Sequence, residues 1–439
     1  EDRLHEVNQE LKQVAAQLSG NGQPPRVCDR GRLLKRKRTV VVKREETMEY
    51  NPFAPEVIEN PYPYYAELRA KSPVSWVEVL QGWAVSRYAD VDFVLRNPKL
   101  FPSSVWMARG FGDMNPVPGV PMLLDMNPPD HTRLRKLANR GFTPRLIRAM
   151  ETHVRAIARE LLAAVKKEHT WNLVDAVSSP LPLIAIAEML GVEPERRADF
   201  KRWSDETIKG TSQPTDKAVR AQILQATAEM RAYLREAIAR RRTQPGEDLL
   251  TAFVQAEEEG RILSADEVLA LVVLLLVAGN ETTTNLIGNG VLALLDHPDA
   301  LAKVRADRTL LPSLVEEILR YDTSVQVVFR ETAQEIELGG VRLPAGATLY
   351  LLLGSANRDE RKFPEPDRFD VRRNPQDHVG FGYGIHLCLG APLARLESRI
   401  VLEELLFACP SFTRAVEHVP HIASLIVRGP QTLPLQFTA

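Results

Sequence analysis

One cysteine set among closely spaced glycines constrains this chain more than any other feature. Residues Phe381 to Gly390 read FGYGIHLCLG, and Cys388 is the cysteine within them. Glycine has no Cβ, so the backbone here can turn tightly and lie close to a flat ligand. Pro392 suits the first turn of a helix from about 391 to 407, whose N-terminal N–H groups would stabilise a negative sulfur. The pattern therefore predicts a reactive thiolate that can ligate iron.

The alternative is a structural cysteine in a turn, because most free cysteines behave as inert small hydrophobes. Cys409 fits that description, and Cys28 lies in a polar stretch without a nearby partner. Three cysteines without CxxC or CxxCH spacing argue against a zinc site, a covalently attached haem or a disulfide framework, and suit a reducing cytoplasm.

The glycine-rich segment resembles the haem loop of the cytochrome P-450 family, Phe-Gly-x-Gly-x-His-x-Cys-x-Gly, and every fixed position is present. The resemblance extends over about residues 48–439. It implies a mainly α fold with a small β component (α+β), in which a long central helix lies over the haem and the β-sheets are short. It also implies haem b as the cofactor and Cys388 as the axial ligand of its iron. The other loop residues that it assigns to the haem site include Phe381, Gly382 and Gly390.

The segment from Ser264 to about Asp296 predicts one long central helix. Ser264 and Glu267 have the spacing of a capping box, and the following turns are apolar until AGNETTT. Such apolar stripes are usually core packing, but a glycine and polar residues in mid-helix cost stability and so indicate function. At 100° per residue, one face of the helix carries Leu271, Leu274, Leu275, Ala278 and Thr282.

The polar cluster is similar to the family motif Ala-Gly-x-acid-Thr-Thr. By that resemblance, Ala278 and Gly279 make room for dioxygen and substrate. Glu281 and Thr282 would order water and deliver protons to bound oxygen. Asn280 occupies a variable position. Family members that use peroxide directly lack the acid-threonine pair, so its presence here favours reduction by an electron donor.

Haem carries two propionates, which need cationic partners. His131 and Arg135 are four residues apart on a helix predicted to begin near Asp130, so both can point to one ligand. The family has such a pair on its helix C, and Arg330 and His386 match two further propionate contacts. Each residue alone is more safely placed on the surface, whereas the four together favour haem binding.

Arg133, Lys136 and Arg140 fall on the opposite face of the same predicted helix. With Arg395 and Arg399, they are expected to form a basic docking face for an acidic ferredoxin or flavodoxin-like electron donor. The electrons would come ultimately from NAD(P)H. An ordinary solvated face explains the same charges equally well.

Glu317 and Arg320 in EEILRY are spaced to pair on one face of a helix. In the family this pair is buried and is joined by an arginine from a Pro-x-Arg-Phe segment, here Arg368. All three are assigned to an ion network that holds the region of Cys388, so variants should lose haem.

The segment 101–124 is rich in glycine, proline and methionine and predicts a long loop of the kind that often covers a site. In the family this is the B–C loop over the substrate pocket. A mostly apolar pocket implies a lipophilic substrate, such as a terpenoid, steroid, fatty acid or polyketide-like molecule. The residues that match family pockets in position are Trp106, Met107, Leu123, Leu124, Leu274, Ala278, Val325, Val327 and Leu425.

Two β-hairpins are predicted, one turning near Leu80-Gln81 and one at Gly339-Gly340. The periodic segments that predict further helices are 143–167, 180–191, 194–208, 215–242, 247–259, 299–305 and 308–321.

Residues 1–47 are predicted to be an extension that precedes the domain at 48–439. They carry 11 Lys or Arg against 7 Asp or Glu, whereas the whole chain has 56 against 57 and is no polycation built for nucleic acid. A heptad pattern predicts a short helix at 1–19, followed by a basic block. This block is either an interaction arm or, as we favour, a loosely docked extension.

A soluble cytoplasmic protein is expected. The longest apolar run, Leu269 to Gly279, has 11 residues, whereas a membrane-spanning helix needs about 20. The first residues lack the apolar block of a secretory signal.

Three functions compete at this point. The first is a monooxygenase that uses O₂ and donated electrons to hydroxylate or epoxidise a lipophilic molecule. The second is a related enzyme that performs oxidative coupling, isomerisation or peroxide-driven chemistry. The third is a noncatalytic haem sensor, suggested only by the basic N-terminal block. Complete catalytic motifs favour the first.

Overall fold

The long periodic segments of the sequence form helices packed around one central helix. The computed structural model describes residues 50–210, 216–258 and 261–437, so the predicted N-terminal helix and basic block lie outside it. Met48–Ala439 forms one compact unit. The α-helices of the described part are α1 (Pro55–Glu59), α2 (Tyr62–Lys71), α3 (Tyr88–Arg96), α4 (Trp106–Gly110), α5 (Asp130–Asn139), α6 (Pro144–Ala149), α7 (Glu151–Val165), α8 (Pro180–Met189), α9 (Arg197–Lys209), α10 (Lys217–Thr243), α11 (Leu249–Val254), α12 (Ala265–Asp296), α13 (Pro298–Ala306), α14 (Leu311–Tyr321), α15 (Leu353–Ala356) and α16 (Ala391–Ala408).

The central helix α12 begins at the predicted capping box. Ser264 Oγ accepts a hydrogen bond from the N–H of Glu267 at 3.1 Å, and Glu267 Oε2 accepts one from the N–H of Ser264 at 2.8 Å. By length and composition α12 could cross a membrane, but 67% of its most apolar window is buried inside the protein. It contacts α8, α9, α10, α14 and α16, as expected for the core helix of a globular domain.

Short strands form the small β component, and the predicted mainly α fold class is confirmed. The strands of the described part are β1 (Val74–Val77), β2 (Gly82–Val85), β3 (Thr170–Asn172), β4 (Glu257–Glu258), β5 (Arg261–Ile262), β6 (Val327–Glu331), β7 (Ile336–Leu338), β8 (Val341–Leu343), β9 (Thr348–Leu352), β10 (Phe412–Arg414) and β11 (Pro434–Phe437). The main sheet has the order β1-β2-β9-β6. The first predicted hairpin joins β1 to β2, and Gln81 in its turn has φ 49°. Strand β2 runs parallel to β9, and β6 runs antiparallel to β9.

The second predicted hairpin is β7 and β8. Gly339 and Gly340 make its turn with φ 57° and 80°, a region that favours glycine. The chain then leaves this hairpin, and β9 joins the main sheet, where every one of its residues is buried.

Three predicted segments differ in detail from the structure. The helix expected at 247–259 ends at Val254, because β4 and β5 form a hairpin beyond it. The segment 143–167 is two helices, α6 and α7, which meet at Met150. The expected loop at 101–124 contains α4, where the N–H of Met107 donates to Asp125 Oδ1 at 2.9 Å. This last contact joins residues 18 apart, so local periodicity carries no signal for it.

Candidate active site around Cys388

A cavity of about 290 Å³ lies between the glycine-rich loop and the middle of α12. Cys388 lines it from the loop, and Ala278, Gly279, Glu281 and Thr282 line it from α12. Segments far apart in sequence therefore meet at one space. The side chains that complete the cavity are mostly apolar.

The side chain of Cys388 is exposed to the cavity, and the protein atoms that surround the cavity keep the sulfur away from bulk solvent. The N–H of Cys388 donates to the carbonyl of Phe381 at 2.9 Å, which closes the loop. Burial raises the pKa of the Cys388 thiol above its ordinary value. The N–H groups of Gly390 and Ala391, together with the charge of Arg135, act in the opposite direction. The site thus supplies donors that favour a negative sulfur, as the helix after the loop leads one to expect.

Gly384 fits the loop because no other residue could. Its φ is 72°, and a Cβ there would lie 2.6 Å from the carbonyl oxygen of Leu95 at the end of α3. At the start of the loop, a Cβ on Gly380 would lie 2.8 Å from the carbonyl oxygen of Leu319 in α14. The loop is therefore held between α3 and α14 by backbone contacts that exclude side chains.

Four side chains that can carry positive charge gather beside the loop, and none has an anionic partner among the described residues. The rings of His131 and His386 lie 4.3 Å apart, and both Nε2 atoms are buried without a hydrogen bond. Arg135 donates to the carbonyl of Leu387 at 2.5 Å, and buried Arg330 donates to the carbonyl of Phe329 at 2.6 Å.

The electrostatics of this cluster indicate a missing counter-charge. Burial, with the neighbouring cations, lowers the pKa of His131 to about 4 and that of His386 to about 3. Burial lowers the pKa of Arg330 to about 10. Within the part of the chain that the structure describes, none of the four forms an ion pair. Two carboxylates of a haem would match this cluster, so the residues present fit that cofactor.

The polar segment of α12 has the arrangement expected of proton-handling groups. Thr282 Oγ1 donates to the carbonyl of Ala278 at 2.7 Å, which leaves its lone pairs to accept from the cavity. Burial raises the pKa of Glu281 above its ordinary value. Asn285 Nδ2 donates to Glu281 Oε1 at 3.4 Å. A Cβ on Gly279 would meet no protein atom within 4 Å, so the missing side chain leaves cavity space open.

Most of the expected pocket residues line the cavity, and two do not. Met107, Leu123, Leu124, Leu274, Ala278 and Val325 line it. The prediction that Val327 and Leu425 line the pocket was wrong. Their neighbours Val328, Ile426 and Val427 line the cavity instead.

Strand geometry explains this correction. Successive residues of β6 point to opposite faces, and Val327 packs with Phe329 and Tyr350 in a core cluster on the other side. The side chain of Trp106 is not among those that the structure describes, so its predicted place in the pocket stays a prediction. Sequence reasoning also missed Ile186 and Ile208, which line the cavity from α8 and α9. Their apolar segments carried no feature to separate pocket from core.

The predicted ion pair of α14 is present and wholly buried. Arg320 donates to both oxygens of Glu317 at 2.8 Å. The assignment of Arg368 to this network was wrong, because its side chain is 55% exposed and pairs with Glu365 at 3.1 Å. The arginine that reaches Glu317 is Arg373, with Nε 3.3 Å from Oε1. Arg368 contributes only its carbonyl, which accepts from Arg320 Nη2 at 3.2 Å.

The expected basic face is smaller than predicted. The prediction that Arg133 belongs to this face was wrong, because Arg133 is largely buried and pairs with Glu267 at the start of α12. Lys136 and Arg140 are exposed on α5 and in the turn that follows it.

Two further arginines of the expected face lie on α16. Arg395 binds Glu316 through Nε at 2.7 Å, and it stacks on Phe381 with its guanidinium carbon 4.6 Å from the ring centroid. Arg399 pairs with Glu151 at 2.9 Å. Both arginines line a second groove at the surface, so this part of the face carries acids as well as bases.

Comparison with known proteins gives one consistent picture. The family model described as Cytochrome P450 matches residues 199–432. The Vitamin D(3) 25-hydroxylase of Pseudonocardia autotrophica is 40% identical over 398 residues, which cover 89% of this chain and 96% of that protein. The solved structure of CYP109Q5 from Chondromyces apiculatus superposes with a TM-score of 0.80 at 44% identity, covering 88% of this chain and 98% of that one. CYP109E1 from Bacillus megaterium, in complex with testosterone, superposes with a TM-score of 0.79 at 35% identity, covering 87% of this chain and 100% of that one.

Proposed function

The chain belongs to the cytochrome P450 family of haem-thiolate monooxygenases, and from that premise we propose that Cys388 ligates the haem iron and that the substrate is an uncharged steroid-like molecule. The observation that carries the proposal is the cavity itself. Cys388 opens to it on one side, and the Ala278–Thr283 segment faces it on the other. Arg135, Arg330 and His386 line its edge, and the ring of His131 lies against that of His386.

The haem site is assigned as follows. Cys388 supplies the sulfur, and Gly382 and Gly390 let the loop approach the porphyrin plane without a Cβ. Phe381 lines the cavity together with Cys388, and its ring lies under the guanidinium of Arg395. His131, Arg135, Arg330 and His386 hold the propionates. When bound, the haem iron supplies the activation of dioxygen, with electron density pushed from an anionic sulfur.

Glu281 and Thr282 handle the protons that the reaction consumes. Because burial raises its pKa, Glu281 retains a proton more readily than an exposed glutamate does. The hydroxyl hydrogen of Thr282 is engaged by the carbonyl of Ala278, so its oxygen accepts a hydrogen bond from the cavity. Thr282 thereby orders a proton-bearing group beside Glu281. Ala278 and Gly279 keep this part of the cavity free of side chains.

The substrate proposal rests on the cavity wall and on two relatives. Apolar side chains from α4, α8 and α9 surround the upper part of the cavity, including Met107, Ile186 and Ile208. Burial of a hydrocarbon scaffold against them is favourable by about 25 cal/mol per Å². One relative is named for vitamin D₃ hydroxylation and another is bound to testosterone, and both ligands are largely hydrocarbon.

The electron donor is proposed to be a small acidic protein, a ferredoxin or a flavodoxin-like protein, supplied ultimately by NAD(P)H in the cytoplasm. On this chain, the docking face for the donor comprises exposed Lys136 and Arg140 together with the surface groove at α16. Positive groups near the sulfur would steer such a partner to the cysteine side.

One spectroscopic measurement tests the central assignment. The haem-loaded, reduced, carbon monoxide-treated protein should show the long-wavelength Soret band of a thiolate ligand, and Cys388→Ala should abolish it. Cys409→Ala is the matched control, because Cys409 lies outside the cavity lining, and it should leave the band intact. Absence of the band in the wild-type protein, or its survival in Cys388→Ala, would overturn the assignment.

The substrate class is tested by titrating the oxidised protein with testosterone. We expect the low-to-high spin change that accompanies displacement of iron-bound water. A surrogate ferredoxin system should then yield a hydroxylated steroid. Failure of a panel of neutral steroids and secosteroids to cause a spin change would contradict the substrate proposal while leaving the Cys388 assignment to its own test.

A further inference from the structure

Asn280 is a residue of the AGNETT segment that the proposed mechanism does not use. From 277 to 283 it is the one position whose side chain does not line the cavity. It is 1% exposed. Its Nδ2 donates to Ser204 Oγ at 3.3 Å, while its Oδ1 is buried without a hydrogen bond. A polar side chain at this depth costs stability unless it is hydrogen-bonded, so the unsatisfied Oδ1 of Asn280 calls for an explanation.

Ser204 belongs to α9 and is fully buried. The contact is therefore a hydrogen bond between two helices, isolated from solvent. It joins α9 to α12 at the point where α12 carries its reaction residues.

Helix α9 also bears on the reaction site in two other ways. Lys201 Nζ lies 2.8 Å from Asp205 Oδ2, and the charge of Asp205 raises the pKa of Glu281 while that of Lys201 lowers it. One turn beyond Ser204, Ile208 lines the cavity. The same helix therefore lines the space for the substrate, bonds to Asn280 and carries two charges that influence Glu281.

We propose that Ser204 and Asn280 are positioning residues that make the alignment of Glu281 and Thr282 depend on the position of α9, and through Ile208 on the content of the cavity. The inference rests on the proposed monooxygenase function and deepens it. A substrate that packs against Ile208 makes contacts that differ with the position of α9. A ligand that contacts two positions of a helix differently shifts the equilibrium between those positions. The hydrogen bond carries that shift to α12.

The segment is well suited to such control. Gly279 has no side chain, and Ala278 has only a methyl group, so neither anchors this turn of α12 by packing into the cavity. Loss of the Ser204 hydroxyl would leave the amide of Asn280 without its partner, and the turn would lose its fixed relation to α9.

The chain offers a matched control on the same helix. Thr207 is 1% exposed, but its hydroxyl donates to the carbonyl of Trp203 at 2.7 Å, within α9 itself. Ser204→Ala and Thr207→Val each remove one buried hydroxyl from α9. Only the first removes the link to α12. Asn280→Ala and the Ser204→Ala, Asn280→Ala double variant complete a double-mutant cycle.

The first measurement is amide hydrogen exchange over residues 276–286 in the haem-loaded full chain without added ligand. Ser204→Ala and Asn280→Ala should each speed exchange by about twofold to tenfold, the range that one buried hydrogen bond gives. The double variant should be no faster than either single variant, and Thr207→Val should match the wild type. Exchange in Ser204→Ala equal to the wild type, or equal acceleration in Thr207→Val, would overturn the proposal.

The second measurement is the fate of the donated electrons, with testosterone as the probe substrate and a surrogate ferredoxin as the donor. Ser204→Ala should send a larger fraction to hydrogen peroxide, by about twofold to tenfold, with the testosterone Kd within about twofold of the wild type. An unchanged peroxide fraction would count against the inference. A wild-type protein without the carbon monoxide band would instead contradict the proposed function, and the exchange measurement would still decide the role of Ser204.

Discussion

At the residue scale, Glu397 is the most unusual side chain of α16. It is 2% exposed, lines the cavity and has a buried Oε1 without a hydrogen bond. Desolvation raises its pKa from 4.5 to about 8. The folded protein therefore holds this proton over a range in which the unfolded chain releases it.

The sign of the resulting pH dependence is definite. Stability should fall as pH rises from about 4.5 to about 8, by an amount on the order of several kcal/mol. Glu397→Gln should lose this pH dependence. Denaturation of the haem-loaded protein should be compared at about pH 5.5 and about pH 8, within that window. The free energy of unfolding of the variant, relative to that of the wild type, should be greater at the higher pH.

Glu404 on the same helix is the control for this prediction. It pairs with Arg155 at 2.7 Å and Arg159 at 3.0 Å, which hold its pKa below the usual value. Glu404→Gln should therefore lose stability relative to the wild type at neutral pH. If Glu397→Gln behaved like Glu404→Gln, the neutral form of Glu397 would be refuted.

The corrected ion network gives a second prediction at this scale. Arg373 contacts fully buried Glu317, whereas Arg368 lies at the surface. Arg373→Ala should cost on the order of 3 kcal/mol and reduce haem retention, because it leaves part of a buried charge uncompensated. Arg368→Ala, the matched arginine five positions earlier, should cost less than about 1 kcal/mol.

Chemical denaturation and the haem content of the purified variants would check this pair. Equal losses in the two variants would contradict the assignment of Arg373. Such a result would restore Arg368 to the network expected from the family resemblance.

At the element scale, the cover of the cavity is joined to α10. Arg220 pairs with Asp113 at 2.5 Å, and Arg231 donates to the carbonyl of Pro116 at 2.8 Å. Both contacts connect α10 to the segment 101–124. The segment is therefore tied down on its outer side by two arginines of one helix.

Asp113→Asn should loosen this connection. Asp113 is 73% exposed, so we expect little change in the free energy of unfolding, below about 1 kcal/mol. The rate of steroid dissociation, measured by stopped-flow spectroscopy, should rise by about twofold to fivefold. Arg235→Gln breaks an exposed pair between α10 and Asp266, away from this segment, and should leave the rate unchanged. An unaltered rate in Asp113→Asn would show that the pair does not restrain the segment.

The element scale also explains what sequence reasoning could and could not predict. The capping box and the pairing of Glu317 with Arg320 each lie within one short segment, so spacing alone predicts them. The haem role of the glycine-rich loop and the burial of the pair were implied by the family resemblance. The burial and pairing of Arg133 could not be predicted from spacing, because its partner Glu267 is 134 residues away.

Strand phase and chain path account for the other errors. Val327 and Val328 are equivalent in type, and only the pairing of β6 with β9 decides which one faces the cavity. Similarly, both Arg368 and Arg373 follow Pro366, and the path of the backbone around Glu317 determines which guanidinium reaches it.

At the scale of the whole molecule, the proposed docking face predicts an affinity for the electron donor that depends on charge. Charge reversal at both Lys136 and Arg140 should weaken the apparent affinity for a surrogate ferredoxin by about tenfold at low salt, and the difference should shrink as ionic strength rises. Reversal of Lys71 and Arg342, which are exposed and lie on α2 and β8 rather than on the elements of the proposed face, is the control. Equal effects of the two double variants would point to net charge rather than a docking face.

The contact between Gly384 and the carbonyl of Leu95 has a consequence for how the chain matures. A C-terminal fragment from Ala265 onward would contain the AGNETT segment, the Glu317–Arg320 pair and the entire cysteine loop. It would lack α3, whose Leu95 carbonyl packs against that loop. We therefore expect the chain to bind haem only after both the N-terminal and the C-terminal parts of the domain have been synthesised.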